Sequence, residues 1–221
     1  MDYQATSNLL PLLQKGTLET LLMVGIAAPG CAISGLFLGL LLTATQPQGV
    51  APSRVFYQAL SAFTNISRSV PFLILIVLLL PVTRLLVGTS IGTWAAIVPL
   101  VLGGMPYAAR LAEAALLEVE PGLIQAVVVM GASAPEILLK VYLPEALSGL
   151  LRAFTVLSIT MINFSAMAGA VGGGGLGDLA IRYGYQRFRI DVLAGTVLIL
   201  IVLVQVIQFG GNYFAKRFYR R

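Results

Sequence analysis

Charged residues are scarce in this sequence and cysteine is almost absent, and each scarcity excludes a class of function. Charged residues make up 10% of the 221 positions, too few to cover the surface of a soluble domain. With Cys31 as the single cysteine, neither an intrachain disulfide nor redox chemistry by a thiol pair is available. The net charge of +5 does not call for a nucleic-acid partner.

A nucleotide-binding loop is also missing. No stretch fits G-x-x-x-x-G-K-[ST], the phosphate-binding pattern of nucleotide hydrolases. The run from Gly172 to Gly177 fits G-x-G-x-x-G, but it follows a predicted membrane helix and not a strand. These glycines instead predict a tight turn that allows close approach of helices or of a docked partner. Any ATP hydrolysis therefore belongs to a separate chain.

Long apolar runs make up most of the sequence. Hydrophobic residues make up 58% of the chain, and the mean hydropathy is +0.92. About 20 apolar residues cross a bilayer as a helix, so the sequence predicts an all-α integral membrane protein of one domain, residues 1–221. The five predicted spans are residues 18–44, 58–81, 91–112, 147–171 and 191–214.

The charges at the chain ends predict the orientation. An odd number of spans places the termini on opposite sides of the membrane. Lys216, Arg217, Arg220 and Arg221 follow the last span, so the positive-inside rule places the C-terminus in the cytoplasm. The N-terminus, with a short polar tail over residues 1–16, is then expected outside.

The cytoplasmic loop after the third span predicts two short helices. Pro121 suits the first turn of a helix, and Gly131 suits the left-handed position that ends one. Ser133 and Glu136 form an S-x-x-E capping box for the next helix, and Pro144 breaks or kinks that helix before the fourth span.

The first loop helix, about residues 121–131, is too apolar for water. Leu123, Ile124, Ala126 and Val127 leave little polar surface on it. One interpretation is a helix resting on lipid headgroups or inside the bundle, although a lipid-surface helix should carry Lys and Arg. The other is insertion into a groove of a partner protein.

Arg68 is the one charge predicted near the interior of a span. One interpretation is structural pairing at the inner end of the span, with Glu113, Glu118 or Glu120 as partner. The other is a direct role in gating.

The fourth span carries a series of polar side chains. Ser and Thr residues in such a helix commonly form hydrogen bonds between helices. Asn163, Ser165 and Met167 are the candidates for a translocation pathway, since an amide binds a zwitterionic solute and a thioether suits apolar side chains. No carboxylate pair lies within a span, so the proton or sodium relay of a secondary carrier has no visible residues.

The cytoplasmic loop resembles the EAA loop of ABC importer permeases, Glu-Ala-Ala-x3-Gly-x9-Ile-x-Leu-Pro. Ala126, Gly131, Leu143 and Pro144 match that pattern, whereas Gln125, Val127 and Val141 depart from it. Almost the whole chain resembles the permease family of methionine ABC importers. The further blocks that carry this resemblance are N-I-x-R-S-V-P-F at 65–72, T-R-L-L-V-G-T-S-I-G at 83–92, A-A-I-V-P-L at 95–100, L-P-E-A-L at 143–147 and S-A-M-A-G-A-V-G-G-G-G-L-G at 165–177.

The resemblance implies a permease subunit that translocates methionine, both L and D, across the cytoplasmic membrane by alternating access. It implies a homodimer, two cytoplasmic ATPase subunits that bind ATP and Mg, and an external substrate-binding protein. No cofactor is expected on this chain. The residues expected to couple to the ATPase are Leu123, Ile124, Gln125, Ala126, Val127, Gly131, Ser133, Glu136, Leu143 and Pro144. The alternative function is a proton- or ion-coupled amino-acid carrier.

Overall fold

The computed structural model describes residues 9–218, and every regular element in this part of the chain is a helix. We number the α-helices in chain order. They are α1 Leu9–Thr45, α2 Arg54–Ser69, α3 Phe72–Val87, α4 Thr93–Leu117, α5 Pro121–Val129, α6 Ala134–Ile137, α7 Leu143–Glu145, α8 Leu147–Ala168, α9 Gly175–Leu179 and α10 Ile190–Arg217. Three π-helical turns, Leu138–Tyr142, Gly169–Gly173 and Ala180–Tyr185, follow α6, α8 and α9.

Four helical stretches are long and apolar enough to cross a membrane: α1, α4, α8 with its π turn, and α10. The bent pair α2 and α3 brings the number to five if the pair counts as one span. The all-helical membrane fold predicted from the sequence is confirmed. In the predicted external tail, residues 9–16 are the first two turns of α1, and residues 1–8 lie outside the described part.

The second predicted span differs from the expectation. Residues 58–81 were expected to form one helix, but α2 ends at Ser69, α3 begins at Phe72, and the two are bent by 107°. Val70 is extended, with φ −80° and ψ 124°, because the ring of Pro71 disfavours helical geometry in the residue before it. Pro71 also has no N–H to continue the helix.

The chain forms two compact units, and α1, α4, α8 and α10 each contribute to both. The first unit holds the described residues up to Pro29, with Pro71–Gly104 and Ser158–Ile207. Its features include a small core of Leu13, Leu179 and Val192.

The second unit holds Gly30–Val70, Met105–Leu157 and the described residues from Gln208 onward. Its core joins the end of α4, the loop helices and the start of α8. The fully or nearly fully buried members are Ala112, Ala115, Leu116, Val119, Ile137, Tyr142, Ala146, Leu150 and Ala153. The loop between the third and fourth predicted spans is therefore anchored on a packed core.

Candidate functional site: an exposed docking helix and a polar membrane face

Helix α5, the candidate docking helix, has the start and the end predicted from the sequence. Pro121 occupies its first turn, where a missing N–H leaves no hydrogen bond unmade. The helix closes at Met130, and Gly131 follows with φ 83°. A left-handed backbone of this kind is accessible to glycine at little cost, so the C-terminal end of α5 is determined by this one residue.

One side of α5 is anchored and the other is open. Ile124 and Val127 pack against the core of the second unit. Leu123, Gln125, Ala126 and Val128 are exposed, and Val129 and Met130 reach 87% and 83% exposure. Isolated exposed apolar residues are ordinary, but a contiguous apolar face marks a contact surface.

The capping box predicted after α5 is present. The carboxylate of Glu136 accepts hydrogen bonds from the Ser133 hydroxyl at 2.8 Å and the Ser133 N–H at 3.2 Å. Lys140 Nζ also donates to it, at 3.0 Å. The hydrogen bond from Ser133, followed by that from Lys140, lowers the pKa of Glu136 from 4.5 to about 2. A lowered pKa stabilises the folded loop above pH 4.5, and this contribution is lost as the pH falls towards 2.

The helix break predicted at Pro144 lies slightly further along the chain. Pro144 lies in α7, directly after the π turn Leu138–Tyr142. The π turn before it and α7 continue as helix to Glu145, and Ala146, with φ −78° and ψ −3°, separates α7 from α8. Leu143 packs against the core of the second unit, whereas Pro144 is exposed.

The three candidate pathway residues of α8 do not share one face. Asn163 is exposed and Met167, one turn later, is 45% exposed, so these two lie together on the helix surface. Ser165 is 1% exposed and donates to the carbonyl of Ile162 at 2.7 Å. The structure brings Asn163 and Met167 together and turns Ser165 away from them.

Arg68 does not make the carboxylate contact that one interpretation gave it. Among the described residues it forms no ion pair with Glu113, Glu118 or Glu120. Its guanidinium lies over the ring of Tyr107, 5.6 Å from the centroid, within the range of a cation–π interaction. The side chain is exposed, and its role in gating stays a prediction.

Glu113 instead pairs with Arg110, a contact that the sequence analysis missed. Arg110 Nη1 lies 2.6 Å from Glu113 Oε2, with both side chains largely buried. Arg110 Nη2 also donates to the hydroxyl and the carbonyl of Ser61, at 2.6 and 3.0 Å. This cluster ties α2 to α4. An i, i+3 charge pair is visible in the sequence, but the contact to α2 spans 49 positions and has no local signal.

The glycine run forms the tight turn that was predicted. Gly172, Gly174 and Gly175 all have positive φ. The N–H groups of Gly175 and Leu176 donate to Glu19 Oε2 at 2.7 Å and Thr20 Oγ1 at 2.9 Å. Glu19 and Thr20 were also missed, because they lie 156 positions away from their partners.

The multi-span helical fold with a partly exposed apolar helix, α5, is compatible with a membrane component of a transport system. The family model described as "Binding-protein-dependent transport system inner membrane component" matches residues 35–221. The chain belongs to this family and is a multi-pass component of the inner membrane with a role in transport.

Individual relatives give a more specific comparison than the family model. The probable D-methionine transport system permease protein MetI of Vibrio cholerae is 52% identical over 207 residues, covering 93% of this chain and 92% of the relative. The D-methionine transport system permease protein MetI of Escherichia coli K12 is 48% identical over 158 residues, covering 72% and 73%. A solved structure of the MetNI methionine ABC transporter in an inward-facing conformation matches with a TM-score of 0.95 and 43% identity, covering 100% of both chains.

Proposed function

We propose that this chain is the membrane-spanning permease subunit of an ATP-driven importer that moves methionine, in its L and D forms, into the cytoplasm. The observation that carries the proposal is the docking helix, α5, displayed on a chain 52% identical to a D-methionine permease. A helix that is apolar, anchored on one side and uncovered on the other fits a groove in a partner protein.

The partner in this proposal is a cytoplasmic ATPase, which binds ATP and Mg and hydrolyses the nucleotide. The chain itself has no phosphate-binding loop and binds no cofactor in this scheme. The surface offered to the ATPase groove is the exposed part of α5, chiefly Leu123, Gln125, Val128, Val129 and Met130. The opposite side of α5 is held on the core of the second unit by Ile124 and Val127, and Leu143 packs against the same core.

The chain works as a homodimer in this proposal. Asn163 and Met167 are exposed in a single copy, and an amide facing lipid lacks hydrogen-bond partners. A second copy encloses this face and converts it into a pathway for a zwitterionic solute. ATP binding closes two ATPases and draws the paired α5 helices together, which opens the pathway outward to an external substrate-binding protein. Hydrolysis resets the inward-facing state.

The orientation follows from charge. Lys216 and Arg217 lie at the end of α10, and Arg220 and Arg221 lie outside the described residues. By the positive-inside rule, these cations support a cytoplasmic C-terminus and an external N-terminus. A cysteine introduced at Arg217 should react with a membrane-impermeant maleimide only in inside-out vesicles. Labelling of this cysteine in intact cells would mean that the C-terminus lies outside, contrary to the proposal.

The proposed transport activity is tested on a reconstituted complex. The chain is co-expressed with its genomic neighbours, purified through a tag, and reconstituted in proteoliposomes that contain the binding protein. We expect a stoichiometric ATPase partner and uptake of labelled methionine that depends on ATP. Uptake by the chain without ATPase, abolished by a protonophore, would instead establish a proton-coupled carrier.

A further inference from the structure

A cavity of about 350 Å³ beside the C-terminal end of α10 carries positive charge from two different helices. Arg152 of α8 and Lys216 of α10 line it, together with Ser148, Asn212 and Ala215. All five belong to the second unit, and none of the lining residues within 9–218 carries a carboxylate. The proposed transport cycle assigns no role to this cavity.

Ser148 joins the two helices at the cavity and holds the side chain of Arg152. Its buried hydroxyl donates to the carbonyl of Ala215 at 3.0 Å, which joins α8 to α10. The same oxygen accepts a hydrogen bond from Arg152 Nη2 at 3.1 Å. Lys216 directly follows Ala215 in α10, so this bridge holds both cations at one wall.

The amide of Asn212 is also directed by its neighbour. Gln208 Nε2 donates to Asn212 Oδ1 at 3.1 Å. The oxygen of the Asn212 amide is thereby occupied, and its NH2 group remains as a donor. A guanidinium, an ammonium and an amide NH2 together provide hydrogen-bond donors suited to a phosphate.

Aromatic side chains next to the cavity mark the level of the lipid headgroups. Tyr213 and Phe214 are 63% and 55% exposed and contact each other edge to face, with 5.7 Å between ring centroids. Phe209, one turn earlier, is 70% exposed. Aromatic residues followed directly by Lys and Arg at the end of an apolar helix are typical of the membrane–water interface.

We propose that this cavity binds the phosphate of an anionic phospholipid, whose acyl chains lie against Phe209 and Tyr213. Basic pockets between membrane helices at the bilayer surface are suited to anionic headgroups. Arg152 also lines a neighbouring cavity with Glu118, Glu120 and Glu145, so its charge is shared between two environments. Lys216 lines the first cavity and not the second and forms no ion pair among residues 9–218, which makes it the more decisive residue for binding.

The test measures retained lipid on the intact complex with its ATPase. The complex is reconstituted in nanodiscs of phosphatidylcholine and phosphatidylglycerol in equal parts, and bound lipid is counted by native mass spectrometry. Lys216→Gln and Arg152→Gln should each weaken phosphatidylglycerol binding about fivefold, and Lys216→Arg should retain it. The matched control is Arg217→Gln, which removes the same charge from the next position, outside the cavity lining.

Three results would overturn the proposal. Equal loss of lipid in Arg217→Gln and Lys216→Gln would mean general attraction to an anionic surface. Displacement of the lipid by inorganic phosphate at matched concentration would mean a site for the free ion. A change in the number of permease copies in Lys216→Gln would mean that the cavity is an interface between copies. If Arg152→Gln does not fold, the comparison of Lys216→Gln, Lys216→Arg and Arg217→Gln still distinguishes binding in the cavity from general attraction to an anionic surface. None of these outcomes depends on the identity of the transported solute.

Discussion

At the scale of single residues, glycines decide how closely α1 approaches α4. A Cβ on Gly39 would lie 2.7 Å from the Cβ of Ala112 and 3.0 Å from the carbonyl oxygen of Ala109. Gly35, one turn earlier, faces Ala108 in the same way. Small residues spaced by four along two helices allow close backbone packing, which drives association where lipid removes the hydrophobic effect.

We predict that Gly39→Ala destabilises the protein by about 1–3 kcal/mol, because the added methyl overpacks this contact. Gly25→Ala in the same helix is the matched control, since no atom lies within 4 Å of its added Cβ. That control should be neutral or more stable by about 0.5–1 kcal/mol, the gain of alanine over glycine in a helix. Thermal unfolding of the detergent-purified chain measures both, and equal midpoints would contradict the packing argument.

The buried Arg110 and Glu113 pair makes a second residue-scale prediction. Glu113→Leu leaves the guanidinium of Arg110 without its carboxylate, and loss of one partner from a buried pair costs about 3–5 kcal/mol. The double variant Arg110→Met with Glu113→Leu should recover most of that loss, because no buried charge remains. Additive effects of the two single substitutions in a thermal-unfolding cycle would argue against a coupled pair.

At the scale of elements, the docking helix depends on the backbone at Gly131. We predict that Gly131→Pro lowers ATP-driven uptake at least about tenfold, since proline holds φ near −65° and Gly131 has φ 83°. No atom lies within 4 Å of a Cβ built there, but proline also removes the N–H that Gly131 donates to the carbonyl of Val128 at 3.0 Å. Gly131→Asn is the control, because asparagine adopts the left-handed region. ATPase co-purification and uptake are measured together, and unchanged uptake in Gly131→Pro would refute the docking assignment.

Elements whose ends depend on neighbouring residues were predictable, and those that depend on distant residues were not. Pro121, Gly131 and the Ser133–Glu136 box act within one helical turn, so their pattern in the sequence was sufficient. The bend between α2 and α3 has a local cause in Pro71, but apolar character continues through it, and hydropathy therefore predicted one span over 58–81. Hydropathy indicates which residues can lie in lipid, but it does not indicate the direction in which a helix runs.

At the scale of the whole molecule, the exposed pair on α8 bears on the route of the solute. We predict that Asn163→Leu and Met167→Ala each lower methionine uptake about tenfold, the effect of losing about 1.4 kcal/mol of contact, while ATPase assembly is retained. Leu198→Ala is the control, because Leu198 is 63% exposed on another helix and loses similar apolar area. Uptake and co-purification are measured on the same preparations. Parent-like uptake in both α8 variants would exclude this face as the pathway.

The sequence by itself determined the all-helical membrane class and the two ends of α5. Each of these follows from composition or from interactions within a few residues. Only the tertiary structure decided that Arg110 contacts Ser61, that Gly175 and Leu176 donate to Glu19 and Thr20, and that Arg152 meets Lys216 at one cavity. Such contacts join positions far apart in the chain. They are selected by packing, and local sequence carries no record of it.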